Sequence, residues 1–395
     1  MTGQFAKYGV IDVDVAQVAT AEIPRGCGGF AVCLWKDRRP VGFLISDNND
    51  TTSLRAEIRK AIAALPTPPR PSTSEPESLP ELCVAVCTHN RPRRLRRCLD
   101  ALVPQLEQGE VTRILVVDNA PDDDESETVA RNAGVDYFRE PVAGLNFARN
   151  AAIRQCRCDW IAYVDDDVVV APGWARALRL AATDTINVGA VTGQILPLAL
   201  ETPAQLAFER RGGFRREFEP ASFNRRDRRG VLFPVRAGRF GNGANMAFRH
   251  SLLVELGGFD NALDCGAPLP GGGDLDIFCR VIASGATLRY EPAAMVYHEH
   301  RRDWPGLKQQ YAQSWGKAHM AYVQKLIRCG PYRGRALVYA AWWLAHEMKQ
   351  IGRALLGRHP VPATTLIREC LGGLAGIAAY RPQSLRPVDD ATEGV

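Results

Sequence analysis

The sequence predicts an open, doubly wound α/β sheet, preceded by a small α+β module and followed by a helical extension. Two observations carry this prediction. Between residues 81 and 165, continuous apolar runs of strand length alternate with segments whose leucines recur at helical spacing. That is the pattern of parallel strands buried on both faces by their crossover helices. Upstream, residues 66–80 (PTPPRPSTSEPESLP) hold six prolines and five Ser/Thr. They bury almost nothing, and each proline pushes its predecessor out of the helical region, so the stretch reads as an extended linker.

The elements follow in order. In residues 1–65, GFAVCLW and PVGFLI are short strands around the turn-like KDRR, and LRAEIRKAIAAL is helix-like. After the linker, ELCVAVCT (81–88) is a strand buried on both faces. A helix follows with Leu95, Leu99, Leu102 and Leu106 on one stripe and Pro92 in its first turn. RILVVD (113–118) is the second buried strand; a turn (PDDDE), a helical segment and the short strand DYF (136–138) come next. FARNAAIRQC (147–156) has helical spacing, and WIAYV (160–164) is a strand ending at Asp165. In open α/β sheets ligands sit beyond the carboxyl ends of the strands, and the polar residues of interest fall there.

Length and composition set outer bounds. At ~150 residues per domain, 395 residues suggest two or three units. A chain with 46% apolar, 24% charged and 8% aromatic residues is neither disordered, collagen-like nor a disulfide-dense mini-protein. Forty-nine Lys/Arg against 44 Asp/Glu give a net charge of +5. That falls short of the concentrated basicity of a nucleic-acid binder, so no nucleic-acid partner is expected. The mild bias suits anionic small substrates or an anionic membrane surface. Eleven cysteines show no zinc-ligand repeat and read as buried or free thiols of a reducing cytosol. The first residues lack a signal pattern, and the longest apolar stretch, 336–345 (ALVYAAWWLA), is shorter than the ~18 residues of a membrane span. A cytoplasmic location is expected.

The sharpest chemical feature is Asp165-Asp166-Asp167, directly after an apolar strand. In extended chain, residues i and i+2 point the same way, so Asp165 and Asp167 can share a partner. Their mutual repulsion calls for a cation, and oxygen ligands suit Mn2+ or Mg2+; a solvated acidic turn is the alternative. Asp122-Asp123-Asp124 follows no strand directly and reads as solvated turn. CTHNRP (87–92) joins the first strand to its helix, where free N–H groups and Arg91 favour an anion. No G-x-G-x-x-G or P-loop pattern occurs, which weakens dinucleotide and P-loop readings. Asp118 ends the second strand and suits either a nucleoside contact or a cap. Asp274 opens a helical stretch in GGGDLDIFCR, where an N-cap is the simpler role. His298 and His300, two apart after an apolar stretch, are candidate ligands or structural histidines.

Together VAVCTHNRP, ILVVDNAPDD, GLNFARNAAI, IAYVDDDVVVAPGW, GNGANMAFRHSLLVELGGFD, GGGDLDIFCRV and YEPAAMVYHEHR resemble, in sequence order, the family 2 glycosyltransferases. The resemblance covers residues 81–302. It implies a GT-A fold, a Rossmann-like mixed sheet, using a nucleotide-diphosphate sugar (UDP- or GDP-linked) with Mn2+ or Mg2+ and inverting the anomeric carbon. By resemblance, Thr88, Asn90, Arg91 and Asp118 would hold the nucleobase and ribose, and Arg149 would line the donor site. The family's D-x-D maps to Asp165-Asp166-Asp167: Asp165 would face the ribose or metal-bound phosphate, and Asp167 and His298 would bind metal. Asp274 falls at the position of the catalytic base. The chain departs from the family at Gly273, where Glu is common, which would leave the base less well oriented or shift its role towards Asp276.

The resemblance leaves the acceptor as a hydroxyl of a glycan, a lipid-linked carrier or a small molecule. Residues 210–229 carry eight arginines and read either as a solvated loop or as a dock for an anionic acceptor. Residues 303–395 form the helical extension, with three helices over 303–380. Trp342 and Trp343 with basic flanks suit burial on the catalytic domain, and peripheral contact with the inner face of a membrane is the alternative. Two competing functions remain: a degenerate binding scaffold, and nucleotidyl transfer, which CTHNRP serves poorly.

Overall fold

The computed structural model describes residues 5–66, 78–227 and 229–382. Most of the expected linker, residues 67–77, lies outside the described residues.

The N-terminal residues form a three-stranded sheet of β1 (Tyr8–Asp14), β2 (Gly29–Lys36) and β3 (Arg39–Ser46), packed on α1 (Thr51–Ala63). The turn between β2 and β3 places Asp37 and Arg38 at φ 50° and 61°, the doubly left-handed turn that matches strand twist in a hairpin. Strand β1 is absent from the sequence-based expectation; it pairs parallel to β2, so no hairpin turn marks it. Sequence reading also passes over the strand Val188–Pro197, because Gly189 and Gly193 interrupt its apolar run.

The main sheet has nine strands. In chain order they are β4 (Leu82–Thr88), β5 (Arg113–Asn119), β6 (Asp136–Glu140), β7 (Trp160–Asp165), β8 (Val168–Val170), β9 (Val188–Pro197), β10 (Ala221–Phe223), β11 (Asn245–Arg249) and β12 (Thr287–His298). Spatially they run β10-β12-β9-β11-β7-β4-β5-β6, with β8 pairing β12. Strands β4 to β7 are mutually parallel, β11 is antiparallel to β7 and β9, and β12 is parallel to β9. The sheet is therefore mixed, yet β4, β5, β7, β9 and β12 end at one edge.

Helices cover both faces. Leu82, Val84 and Val86 of β4 pack with α2 (Pro92–Glu107), α3 (Glu125–Asn132) and α5 (Trp174–Thr183). The alternate residues Cys83, Ala85 and Cys87 pack with α4 (Leu145–Gln155) and α8 (Gly273–Ser284). Each fully buried large apolar side chain contributes about 1.5–3 kcal/mol, which explains why the strands are apolar throughout. Cys83 and Cys156, the residue closing α4, are disulfide-paired, and nine other cysteines are free. The expectation of free thiols fails at this pair because α4 folds back onto β4, bringing together residues 73 apart in sequence.

The short helices α6 (Pro203–Arg210) and α7 (His250–Glu255) flank the sheet. After β12 the chain runs from α9 (Trp304–Gln309) through a π-helical segment (Gln310–Ala318) into α10 (His319–Cys329). Helices α11 (Arg333–Leu355) and α12 (Ala363–Gly376) complete the extension. Glycine sets the spacing of α12 against the π-helical segment: a Cβ at Gly372 would lie 2.0 Å from the Ala312 carbonyl oxygen. Trp343 is buried in the shared core and Trp342 packs against it. None of the described helices is long and apolar enough to cross a membrane.

Candidate active site

The common strand edge forms the floor of a cavity of 1820 Å³ lined by Thr88, Arg91, Arg149, Asp165, Asp166, Asp167, Asp274 and His298, among others. Asp165 is the last residue of β7. The chain then turns and β8 pairs antiparallel with β12, setting Val168 opposite His298. The Glu299 N–H donates to the Asp167 carbonyl at 2.9 Å. Strand pairing thus delivers His298 to an acidic turn 131 residues earlier. Ligand atoms of Asp165, Asp167 and His298 lie within 4.8 Å of one another, and His298 Nε2 is 3.3 Å from Asp167 Oδ1. Burial, and then the Asp167 charge, push Asp165 up to about 7. Burial holds His298 well below its ordinary value, hence neutral. Two crowded carboxylates and a neutral imidazole are a donor set that fits a divalent cation such as Mn2+, whose acceptance of nitrogen exceeds that of Mg2+.

Basic side chains at the N-terminal end of α2, the cap residue Arg91 and Arg94, close one side. Arg91 Nη1 is 3.2 Å from Asp166, and Arg94 Nη1 is 3.4 Å from Asp167. Thr88 donates its hydroxyl to Asp166 at 2.8 Å. The middle aspartate is therefore tied to the first strand, and its neighbours are left to the cavity.

Asp274 lines the same cavity from the first turn of α8, behind the cap residue Gly272. The simpler reading of Asp274 as an N-cap therefore fails. Its Oδ2 accepts from the Gly243 N–H at 3.0 Å and its Oδ1 from the Leu275 N–H at 2.8 Å. Asp276 is buried and paired with Arg280 at 2.8 Å and Lys325 at 2.7 Å. It does not line the cavity, so a shift of Asp274's role to Asp276 has no support. Gly273 has a physical reason: a Cβ there would lie 2.1 Å from Asp264 Oδ2 and 2.6 Å from Asn146 Nδ2. Asp264 occupies the space a side chain at 273 would take and binds Arg149 Nη1 at 2.6 Å. Arg149 Nη2 in turn lies 3.9 Å from Asp165.

Residues 83–251 match the family model described as glycosyl transferase family 2. Two curated relatives, both named pre-mycofactocin glycosyltransferase and both from Mycobacterium tuberculosis strains, are 29% identical over 253 residues, 62% of this chain. The chain spans about half (48%) of their length. Among solved structures, a mannosyltransferase from Pyrobaculum calidifontis in complex with GDP-Man and Mn2+ is 19% identical, with a TM-score of 0.49 over 77% of this chain and 90% of that one. Glucosyl-3-phosphoglycerate synthase from Mycobacterium tuberculosis, solved with Mn2+, UDP and phosphoglyceric acid, is 15% identical, with a TM-score of 0.43 over 65% and 78%.

Not every expected residue reaches the cavity. Asn90, at φ 53°, instead ties its loop to the next one: its amide donates to Asp122 at 2.5 Å and its Oδ1 accepts from the Asp122 N–H. Asp118 lies beneath the floor, accepting from the Tyr137 hydroxyl at 3.0 Å, and its neighbour Asn119 lines the cavity instead. Other residues escaped sequence reading. Asp264 sits in a glycine-rich loop at φ 76°, with nothing in its sequence to set it apart from the neighbouring turn. Glu209 is buried on α6, where it accepts from Arg215 at 2.8 Å and contacts His300 Nε2 at 2.7 Å; His300 Nδ1 is 3.0 Å from His298 Nδ1. His300 is thus a neighbour of the cluster rather than a member of it.

Proposed function

We propose that the chain moves a sugar from a UDP- or GDP-linked donor to an acceptor hydroxyl, with inversion at the anomeric carbon. One observation carries the reading: the Asp165, Asp167 and His298 cluster faces the same cavity as Asp274. The family 2 match and the name of the curated relatives support it.

The chemistry can be assigned to named groups. Asp165, Asp167 and His298 would hold a divalent cation, which would supply charge neutralisation for the departing diphosphate. Arg91 and Arg94 add fixed positive charge on the same side. Thr88 and Arg91 hold Asp166 and thereby fix the turn that carries both metal-facing carboxylates. Arg149, held by Asp264, sets the position of Asp165. Asp274 takes the proton of the acceptor hydroxyl, its carboxylate oriented by the Gly243 and Leu275 N–H groups. A carboxylate base in the same cavity as the cation-binding groups suits a single displacement, with attack from the face opposite the leaving group.

Thermal unfolding with UDP and GDP, each with and without Mn2+, tests the donor site. A ligand that binds only the folded chain raises its stability by mass action, by about 2.7 kcal/mol at a hundredfold excess over Kd. A Mn2+-dependent rise with one nucleotide is the expected result. Asp274→Asn is expected to keep that rise and lose transfer by about 10²-fold or more. No rise with either nucleotide would overturn the donor assignment, and full activity in Asp274→Asn would overturn the base.

A further inference from the structure

The arginine-rich segment, residues 210–229, does not engage carboxylates uniformly. Four of its arginines are consumed by carboxylates: Arg210 pairs with Asp47, Arg211 with Glu369, Arg215 with Glu209 and Arg229 with Asp227. Arg216 differs. It donates only to the backbone carbonyls of Phe214, Arg215 and Gly238, and its buried Nε has no partner. Two further arginines flank Gly238: Arg236 and Arg239. Among the described residues no carboxylate pairs with Arg216, Arg236 or Arg239, and all three line the cavity that holds Asp274.

Their position is fixed from two sides. A Cβ at Gly238 would lie 3.5 Å from the Leu275 side chain, so the turn at 237–239 rests on the start of α8 beside Asp274. The Arg236 guanidinium lies 4.5 Å from the Trp342 ring centre. Trp342 belongs to a ladder of near-parallel rings on α11: Tyr339 on one side at 5.5 Å and His346 on the other at 5.0 Å. His319 anchors the ladder through the Tyr339 hydroxyl at 2.8 Å. A guanidinium held against a ring keeps its in-plane donors free for another partner. Burial and the neighbouring Arg239 both lower the Arg236 pKa, and burial lowers that of Arg216. The Asp274 carboxylate acts on Arg216 from a distance without pairing with it, and gathered cations with no carboxylate in hydrogen-bond reach are relieved by a bound anion.

We propose that Arg216, Arg236 and Arg239 form an anion subsite for an acidic group, phosphate or carboxylate, on the acceptor. The inference rests on the transfer reading and deepens it by naming the acceptor's chemical class. The donor's diphosphate belongs with the cation cluster and the α2 arginines. The second cationic group lies at the base, where the acceptor hydroxyl must come. The extension, through Trp342, therefore contributes to acceptor choice.

The test loads the full chain with saturating nucleotide and Mn2+, then titrates phenyl phosphate, phenylacetate and the neutral phenyl β-glucoside while following the unfolding temperature. A further rise with either anion and none with the glucoside is expected; which anion acts distinguishes phosphate from carboxylate. Arg236→Met is expected to weaken that binding about tenfold, the loss of one charged hydrogen bond, while the nucleotide–Mn2+ rise persists. Arg239→Met, at an exposed position, serves as the second variant should Arg236→Met fail to fold. No rise with either anion, an equal rise with the glucoside, or an undiminished rise in both variants would overturn the subsite. If neither nucleotide shifts the wild-type chain, the donor reading fails, and the anion titration on the nucleotide-free chain still decides the subsite.

Discussion

Glu209 connects to the Asp165, Asp167 and His298 cluster through His300 without touching it. Arg215 donates to its carboxylate, so Glu209 accepts the Nε2 proton of His300. His300 Nδ1 is then an acceptor and takes the Nδ1 proton of His298. That leaves the His298 Nε2 lone pair aimed at Asp167, 3.3 Å away. Two acceptors face each other there, an arrangement that a cation between them stabilises. Glu209→Gln offers an amide donor to His300 in place of the carboxylate and reverses the chain of protons, turning an N–H of His298 towards the cluster. Mn2+ affinity, read by titration calorimetry, is expected to fall roughly 10–100-fold. The imidazole nitrogen resonances of His298 are expected to exchange their protonated and unprotonated positions. Unchanged affinity together with unchanged resonances would rule out the relay. At the same scale, Gly273 looked in sequence like the loss of an acidic residue. The structure gives it a different meaning, because the carboxylate of Asp264 fills its space.

Among the elements, the junction of α6, α11 and α12 carries a titration. Glu347 of α11 and Glu369 of α12 share one cation, Arg211, which is 2.8 Å from Glu369. Burial, and then the Glu369 charge, push Glu347 up to about 8. A carboxyl whose folded value is raised binds its proton more tightly in the folded chain. Its contribution to stability is therefore present below the unfolded value, ~4.3, and is lost as pH rises towards 8. Glu347→Gln removes that loss. Its unfolding temperature is expected to exceed that of the wild type at pH 8 and to match it at pH 5. Equal differences at both pH values would show that Glu347 is not the titrating group. Helical spacing and apolar content announce α11 and α12, but this buried acid pair arises only from their packing.

Across the whole molecule, the N-terminal sheet is fastened to the edge of the main one. Tyr8 bridges to Leu200, the Tyr297 hydroxyl donates to Asp12 at 2.6 Å, and Arg39 reaches Glu291 at 2.5 Å. Ala31 packs with Leu200 and Leu206, and Cys33 packs with Leu196 and Met295. Phe43 and Leu65 line the same cavity as Asp274. A chain lacking residues 1–66 would expose that apolar surface and is expected to unfold at lower temperature and to associate at micromolar concentration. Light scattering alongside calorimetry checks this; an unchanged unfolding temperature would mean that the two sheets are energetically independent.

The strands β4, β5 and β7, their covering helices and the acidic turn were legible in the sequence because each is local. Burial on both faces demands an unbroken apolar run, and helical covering demands a periodic one. The order of the motifs, rather than any single motif, suggested the family. The resemblance grouped His298 with Asp167, and tertiary structure supplied the strand pairing that brings them together; it alone decided the exclusion of Asp276 by Arg280 and Lys325 and the filling of Gly273's space by Asp264. It also separated the arginines that carboxylates consume from those left facing the cavity. Each of these depends on contacts between segments far apart in the chain, which strand order and register set and which periodicity in one dimension does not encode.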